Sequence, residues 1–124
     1  MTGYKVEIKE TSKQLSAKQR IALKDTTSAI KLDLATQEAP VIIDPEMWAV
    51  LEIHNEKSDN ADYENYIIVD KNGEKYVTGS QSFWDSFMSI ADEMAGEDES
   101  WMIKVYRVES KNYKGKEFIT CSIE

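Results

Sequence analysis

At 124 residues the chain suits one modest hydrophobic core, and 41% hydrophobic content with 10% aromatics excludes a disordered polypeptide. A single cysteine, Cys121, excludes an internal disulfide and fits a reducing compartment. No run of about 18 apolar residues exists to span a membrane, and the opening "MTGYKVEIKE" lacks the apolar stretch of a signal peptide, so a soluble, intracellular protein is expected.

The net charge of −8 is unevenly placed. Residues 1–33 carry seven Lys/Arg against four Asp/Glu, residues 34–108 five against sixteen, and residues 109–124 three of each. The acidic middle repels polyanions at long range and the two ends do not, so local patches decide what the surface binds.

In chain order, "YKVEIK" alternates, with Val6 and Ile8 on one side, and reads as a short strand. "SAKQRIALKDTTSAIKLDLA" has Ala17, Ile21 and Leu23 near helical spacing, while "DTTSAIKLD" fits a turn plus extended chain equally well. Ala39–Pro40 punctuates the chain. Residues 1–40 are expected to be an N-terminal extension packed on a domain spanning 41–124. From residue 46 the pattern sharpens. "MWAVLEIHNE" puts Ala49, Leu51 and Ile53 on one strand face and Trp48, Val50, Glu52 and His54 on the other. "YENYIIVD" and "EKYVTG" flank Asn72–Gly73, a strong hairpin signal because both residues tolerate positive φ. In "SQSFWDSFMSIADEMAG", Phe83, Phe87, Ile90, Ala91 and Met94 form one helical face, with Ser80 or Ser82 as N-cap and Gly96 at the C-terminal end. "WMIKVYRVE" and "KEFITCSIE" then read as two strands joined by a lysine-rich loop.

Strand, strand, strand, helix, strand, strand is the order of the oligonucleotide-binding (OB) barrel. The expected fold is therefore mainly β, a five-stranded OB-type barrel with one helix between strands 3 and 4. An open five-stranded sheet with a helix on one face satisfies the same pattern.

The stretches "YENYIIVDKNGEKYVTGSQSF" and "IKVYRVESKNYKGKEFITCSI" resemble single-stranded-DNA-binding proteins of tailed bacteriophages that infect Gram-positive bacteria. The resemblance covers about the last two-thirds of the chain, from Trp48 on. It implies an OB fold, sequence-tolerant binding of single-stranded DNA and a role in DNA replication or recombination. It implies work in the cytoplasm of a bacterial host, beside replication or recombination proteins; because coating a strand profits from self-association, a homodimer is a further expectation. Many bacterial single-strand binders end in a disordered acidic tail, whereas this sequence ends in an expected strand at Glu124.

Single strands are held by aromatic faces stacked on bases and by Lys or Arg along the phosphates. If Ile67, Val69, Val77, Ile103 and Val105 face the core, alternation turns Tyr66, Tyr76, Lys104 and Tyr106 outward, and Trp48 shares the outward face of its own strand. Arg107 and the loop residues Lys111, Tyr113, Lys114 and Lys116 complete the candidate nucleic-acid contacts. Lys5, Lys9, Lys13, Lys18, Arg20 and Lys24 either extend this track or balance the acidic middle. The bland alternatives are ordinary: an outward tyrosine is commonly plain surface, a lysine-rich tip is commonly a solvated turn, and Trp84 and Trp101 suit packing.

Enzyme chemistry finds little footing. His54 and Cys121 are the only residues of their kind, and alternation sets them apart. No zinc spacing and no glycine-rich phosphate loop exist, and "DNAD" and "EDES" lack EF-hand spacing. No catalysis and no cofactor are expected. The alternative function is an acidic protein-interaction module, an inhibitor, adaptor or polyanion mimic that presents the acidic middle.

Overall fold

The computed structural model describes residues 4–56, 62–110 and 115–124. Its elements run β1 (Tyr4–Thr11), α1 (Ala17–Lys24), β2 (Ile30–Lys31), α2 (Leu32–Glu38), β3 (Val41–Ile43), β4 (Pro45–Asn55), β5 (Asp62–Asp70), β6 (Lys75–Thr78), α3 (Gln81–Met94), β7 (Ile103–Glu109) and β8 (Glu117–Ile123). The protein is mainly β. β4, β5, β6, α3, β7 and β8 follow one another in the expected order.

The strands form two sheets, one ordered β1-β4-β5-β6-β2 and one ordered β3-β7-β8, and no barrel closes among the described residues. The chain also divides into two compact units, 1–30 with 46–79 and 31–45 with 80–124. Residues 1–30 fall in the first of these units and residues 31–40 in the second. They supply an edge strand and a helix to the first unit, and α2 to the second.

In the first unit, β1 pairs antiparallel with β4 from Tyr4↔Asn55 to Thr11↔Ala49, with a bulge at Lys9 between Ile8 and Glu10. α1 begins at a capping box: Ser16 Oγ accepts from Gln19 N–H at 3.2 Å, and Gln19 Oε1 accepts from Ser16 N–H at 2.9 Å. Its C-terminal end is held by Lys75, whose Nζ donates to the carbonyls of Ala22 (2.8 Å) and Asp25 (2.6 Å). The core is Leu23, Met47, Ala49, Leu51, Ile53, Ile67 and Val77, with Val6, Ile8, Leu15 and Val69 packed against it. The β5–β6 hairpin turns through Gly73 at φ +86°, and Asp70 Oδ1 accepts from Asn72 N–H (2.9 Å) and Glu74 N–H (2.8 Å).

In the second unit, Ser80 Oγ caps α3 by accepting from Phe83 N–H at 3.2 Å, and Gly96 follows the helix at φ +85°. The buried face of α3 is Phe83, Trp84, Phe87 and Ala91, while Ile90 and Met94, expected in the core, are half-buried. Burying each phenylalanine contributes about 1.5–3 kcal/mol. Trp84 lies 5.2 Å and Trp101 6.1 Å from the Phe87 ring, so both tryptophans pack as expected. Ser86 and Thr120 hydroxyls meet at 3.0 Å, tying α3 to β8. No described helix is long and apolar enough to cross a membrane.

Candidate nucleic-acid interface

The three-stranded sheet sorts its residues sharply by face. β7 and β8 pair antiparallel from Ile103↔Ile123 to Glu109↔Glu117, and β3 pairs with β7 through Ile42↔Lys104. On one face Ile43, Ile103, Val105, Ile119 and Cys121 are buried. Period-2 alternation leaves Ile42, Lys104, Tyr106, Val108, Phe118, Thr120 and Ser122 on the other, where α3 meets Thr120 through Ser86 and borders Ser122. Of these, Ile42, Lys104 and Phe118 are exposed and the rest are half-buried.

Those seven positions include a cation, two aromatic rings and no carboxylate, and Tyr106 also borders a cleft with Glu38 and Glu117. Lys104 sits between Ile42 and Ser122 in one cross-strand row, Tyr106 opposes Thr120 in the next, and Val108 opposes Phe118 in the last that matters here. Phe118 is thus the diagonal neighbour of Tyr106, a separation of about 7–8 Å that long aromatic side chains cover. The hairpin beyond is closed by Ser110 N–H donating to the Lys116 carbonyl at 2.8 Å and by Gly115 at φ +81°. The Lys116 side chain is exposed there. Lys111, Tyr113 and Lys114 lie outside the described residues.

Lys104 and Tyr106 therefore stand where alternation put them. Arg107 does not. It shares the parity of Val105, its Nη2 donates to the Asp33 carbonyl, and its Nη1 lies 3.9 Å from Glu117. Its guanidinium holds α2 to β7 and borders a polar cleft of about 350 Å3 with Glu38, Glu117 and Tyr106. A phosphate there would meet two carboxylates.

Tyr66 and Tyr76 need a larger correction. They do lie opposite Ile67 and Val77, but with Val50, Ile68 and Thr78 they are buried, at 3% and 9% exposure. At these exposures neither ring has a face free to stack on a base. Tyr66 Oη bonds Glu64 at 3.3 Å, and burial, with Asp70 and Glu74 nearby, raises the Tyr76 phenol. Trp48 is half-buried on the same side of β4, its backbone exchanging bonds with Ser12 N–H (2.8 Å) and Ser12 Oγ (2.9 Å).

The expected basic track at the N-terminus is largely consumed by ion pairs. Lys5 meets Glu7 at 2.8 Å, Lys9 meets Glu64 at 2.6 Å and Lys13 meets Glu46 at 2.5 Å. Being exposed, such pairs add little to stability. His54 lies 2.7 Å from Asp62 and 3.5 Å from Glu56, and hydrogen bonds to these carboxylates raise its pKa. Among the described residues no group of three or more His, Cys, Asp or Glu side chains could hold a metal ion. Cys121 is buried and its thiol is pushed up to about 12 by desolvation.

Two residues of this face, Phe118 and Ile42, escaped the sequence reading. The signal for Phe118 was present: in "EFITCSI" a core role for Ile119 and Cys121 turns Phe118 outward by the rule that turned Tyr106 outward. Ile42 had no such signal, because a three-residue strand is too short to show alternation. Compared with protein-family models, curated proteins and solved structures, the chain matches none of them.

Proposed function

We propose that this protein binds single-stranded DNA with little sequence preference, laying it across the face of the three-stranded sheet that bears Lys104, Tyr106 and Phe118. Tyr106 and Phe118 supply stacking surfaces, each worth about 1–3 kcal/mol per base, and Lys104, Lys116 and the 111–114 loop supply phosphate contacts. The observation that carries this reading is a segregation of chemistry: in a chain of net charge −8, the strand positions of this face include a lysine and two aromatic rings and no acid. Further support comes from the resemblance to phage single-strand binders, which places the role in replication or recombination within a bacterial host. The order β4-β5-β6-α3-β7-β8, that of an OB-type domain, supports it at the level of fold alone.

A second reading, an acidic protein-interaction module, is favoured by one observation. Residues 76–103 hold six carboxylates, Asp85, Asp92, Glu93, Glu97, Asp98 and Glu99, and no Lys, Arg or His.

Anisotropy of a labelled thymidine oligomer, titrated with protein at several salt concentrations, separates the two. The DNA reading expects saturable binding that weakens with salt. Lys104 and Lys116 alone imply a slope of about −1.4 in log K against log salt, from roughly −0.7 per phosphate contact. Absence of binding at low salt sinks the DNA reading and leaves the acidic one.

A further inference from the structure

An open groove of about 550 Å3 runs between α3 and the edge strand β8 in the second unit. Ile90 and Met94 from the helix and Cys121 and Ile123 from the strand make most of its surface apolar, with Ser86, Ser89 and Ser122 beside them. Ile123 is 51% exposed, a large apolar side chain left open to water. Glu93 lines the same groove. Asp92, Glu97, Asp98 and Glu99, all exposed, flank it in sequence, and no cation occurs from residue 76 to 103. An occupant must therefore be apolar at its centre and cationic around it.

The chain itself carries such a surface. α1 reads AKQRIALK, with three cations and no acid. Ile21 is 70% exposed, the most exposed large apolar side chain among the described residues. Lys18 and Lys24 stand three residues before and after it, on the same helix face, and both are exposed. Their aliphatic stems can lie along the apolar walls while the ammonium groups reach the carboxylates at the rim.

We propose that α1 of one copy docks into the α3–β8 groove of a second copy, with Ile21 entering the groove and Lys18 and Lys24 facing Glu93 and its acidic neighbours. The two surfaces are different patches, so the contact is heterologous. Each copy offers one donor helix and one groove, so the contact can repeat head to tail, as a ring or as an open array. This goes beyond the DNA reading and does not depend on it, since the assembly is assayed without nucleic acid.

Sedimentation velocity of the full chain, from low micromolar to submillimolar concentration, tests the proposal. The expected result is concentration-dependent growth past a dimer that weakens with added salt. Ile21→Asp and Glu93→Lys each weaken association at least tenfold, and both change exposed residues, so circular dichroism should match the parent. The mixture is the sharper test. Ile21→Asp retains a good groove and Glu93→Lys a good helix, so the two variants, each monomeric alone, should form a one-to-one dimer that grows no further. A parent that stays monomeric at low salt and high concentration overturns the proposal. So does assembly unchanged in either variant, or a mixture that remains monomeric.

Discussion

Phe118→Ala and Tyr66→Ala should have opposite consequences, although both remove an aromatic ring from a strand. Phe118 is 40% exposed on the proposed binding face, whereas Tyr66 is 3% exposed. Removing the Phe118 ring takes away one stacking surface, worth about 1–3 kcal/mol, or roughly 5- to 150-fold in affinity. Its partial burial limits the stability loss to about 1–2 kcal/mol. Removing the Tyr66 ring leaves a cavity, at a cost of about 3–5 kcal/mol. That is a large part of the about 5–15 kcal/mol that holds a domain together. Urea denaturation gives the stability, and anisotropy of a labelled thymidine oligomer, well below each transition, gives the affinity. Phe118→Ala should lose affinity and keep most of its stability. Tyr66→Ala should lose stability and, while folded, bind within about twofold of the parent, a ratio worth under 0.5 kcal/mol. Parent-like affinity in Phe118→Ala, or lost affinity at unchanged stability in Tyr66→Ala, refutes the assignment of the interface.

Three further outcomes follow from local geometry. The His54 pKa lies above 6.5 because Asp62 and Glu56 accept hydrogen bonds from its cationic form. Its stabilisation is then complete below the unfolded value of about 6.5 and is lost as pH rises through the raised folded value. His54→Gln should flatten that part of the Tm–pH profile, and an NMR titration midpoint at or below 6.5 would contradict the argument. Cys121, its thiol pushed up to about 12 by burial, should react with a thiol reagent near pH 8 far more slowly than free cysteine until the chain unfolds. Rapid labelling of the folded protein would place it at the surface. Gly73→Ala meets open space but must hold φ +86°, so it should destabilise by about 1–2 kcal/mol, read by denaturation, with Gly73→Asn recovering part of the loss.

Local rules carried much of the fold. Period-2 alternation, the Asn72–Gly73 turn and the i, i+4 pattern of Phe83 and Phe87 made β4, β5, β6, α3, β7 and β8 legible, since each is a short-range consequence of backbone geometry. The box "SAKQ" was equally legible in principle, and Ser16 with Gln19 fixes the start of α1. β1 was foreseen as a strand, but not as the edge partner of β4, because pairing across more than forty residues leaves no mark in either segment.

By itself the sequence determined which side chains share a strand face: Tyr66 with Ile68, Lys104 with Tyr106, Phe118 with Thr120. Only the tertiary structure decided which of those faces water reaches. Alternation depends on one strand's pleat alone, whereas burial depends on everything that packs against it. That difference removed Tyr66 and Tyr76 from the candidate site and brought in Phe118. Arg107 shares the parity of Val105 in the sequence already, and the structure adds the carbonyl of Asp33 that holds it. Partition into two sheets instead of one barrel was likewise a tertiary outcome, set by which strand edges meet.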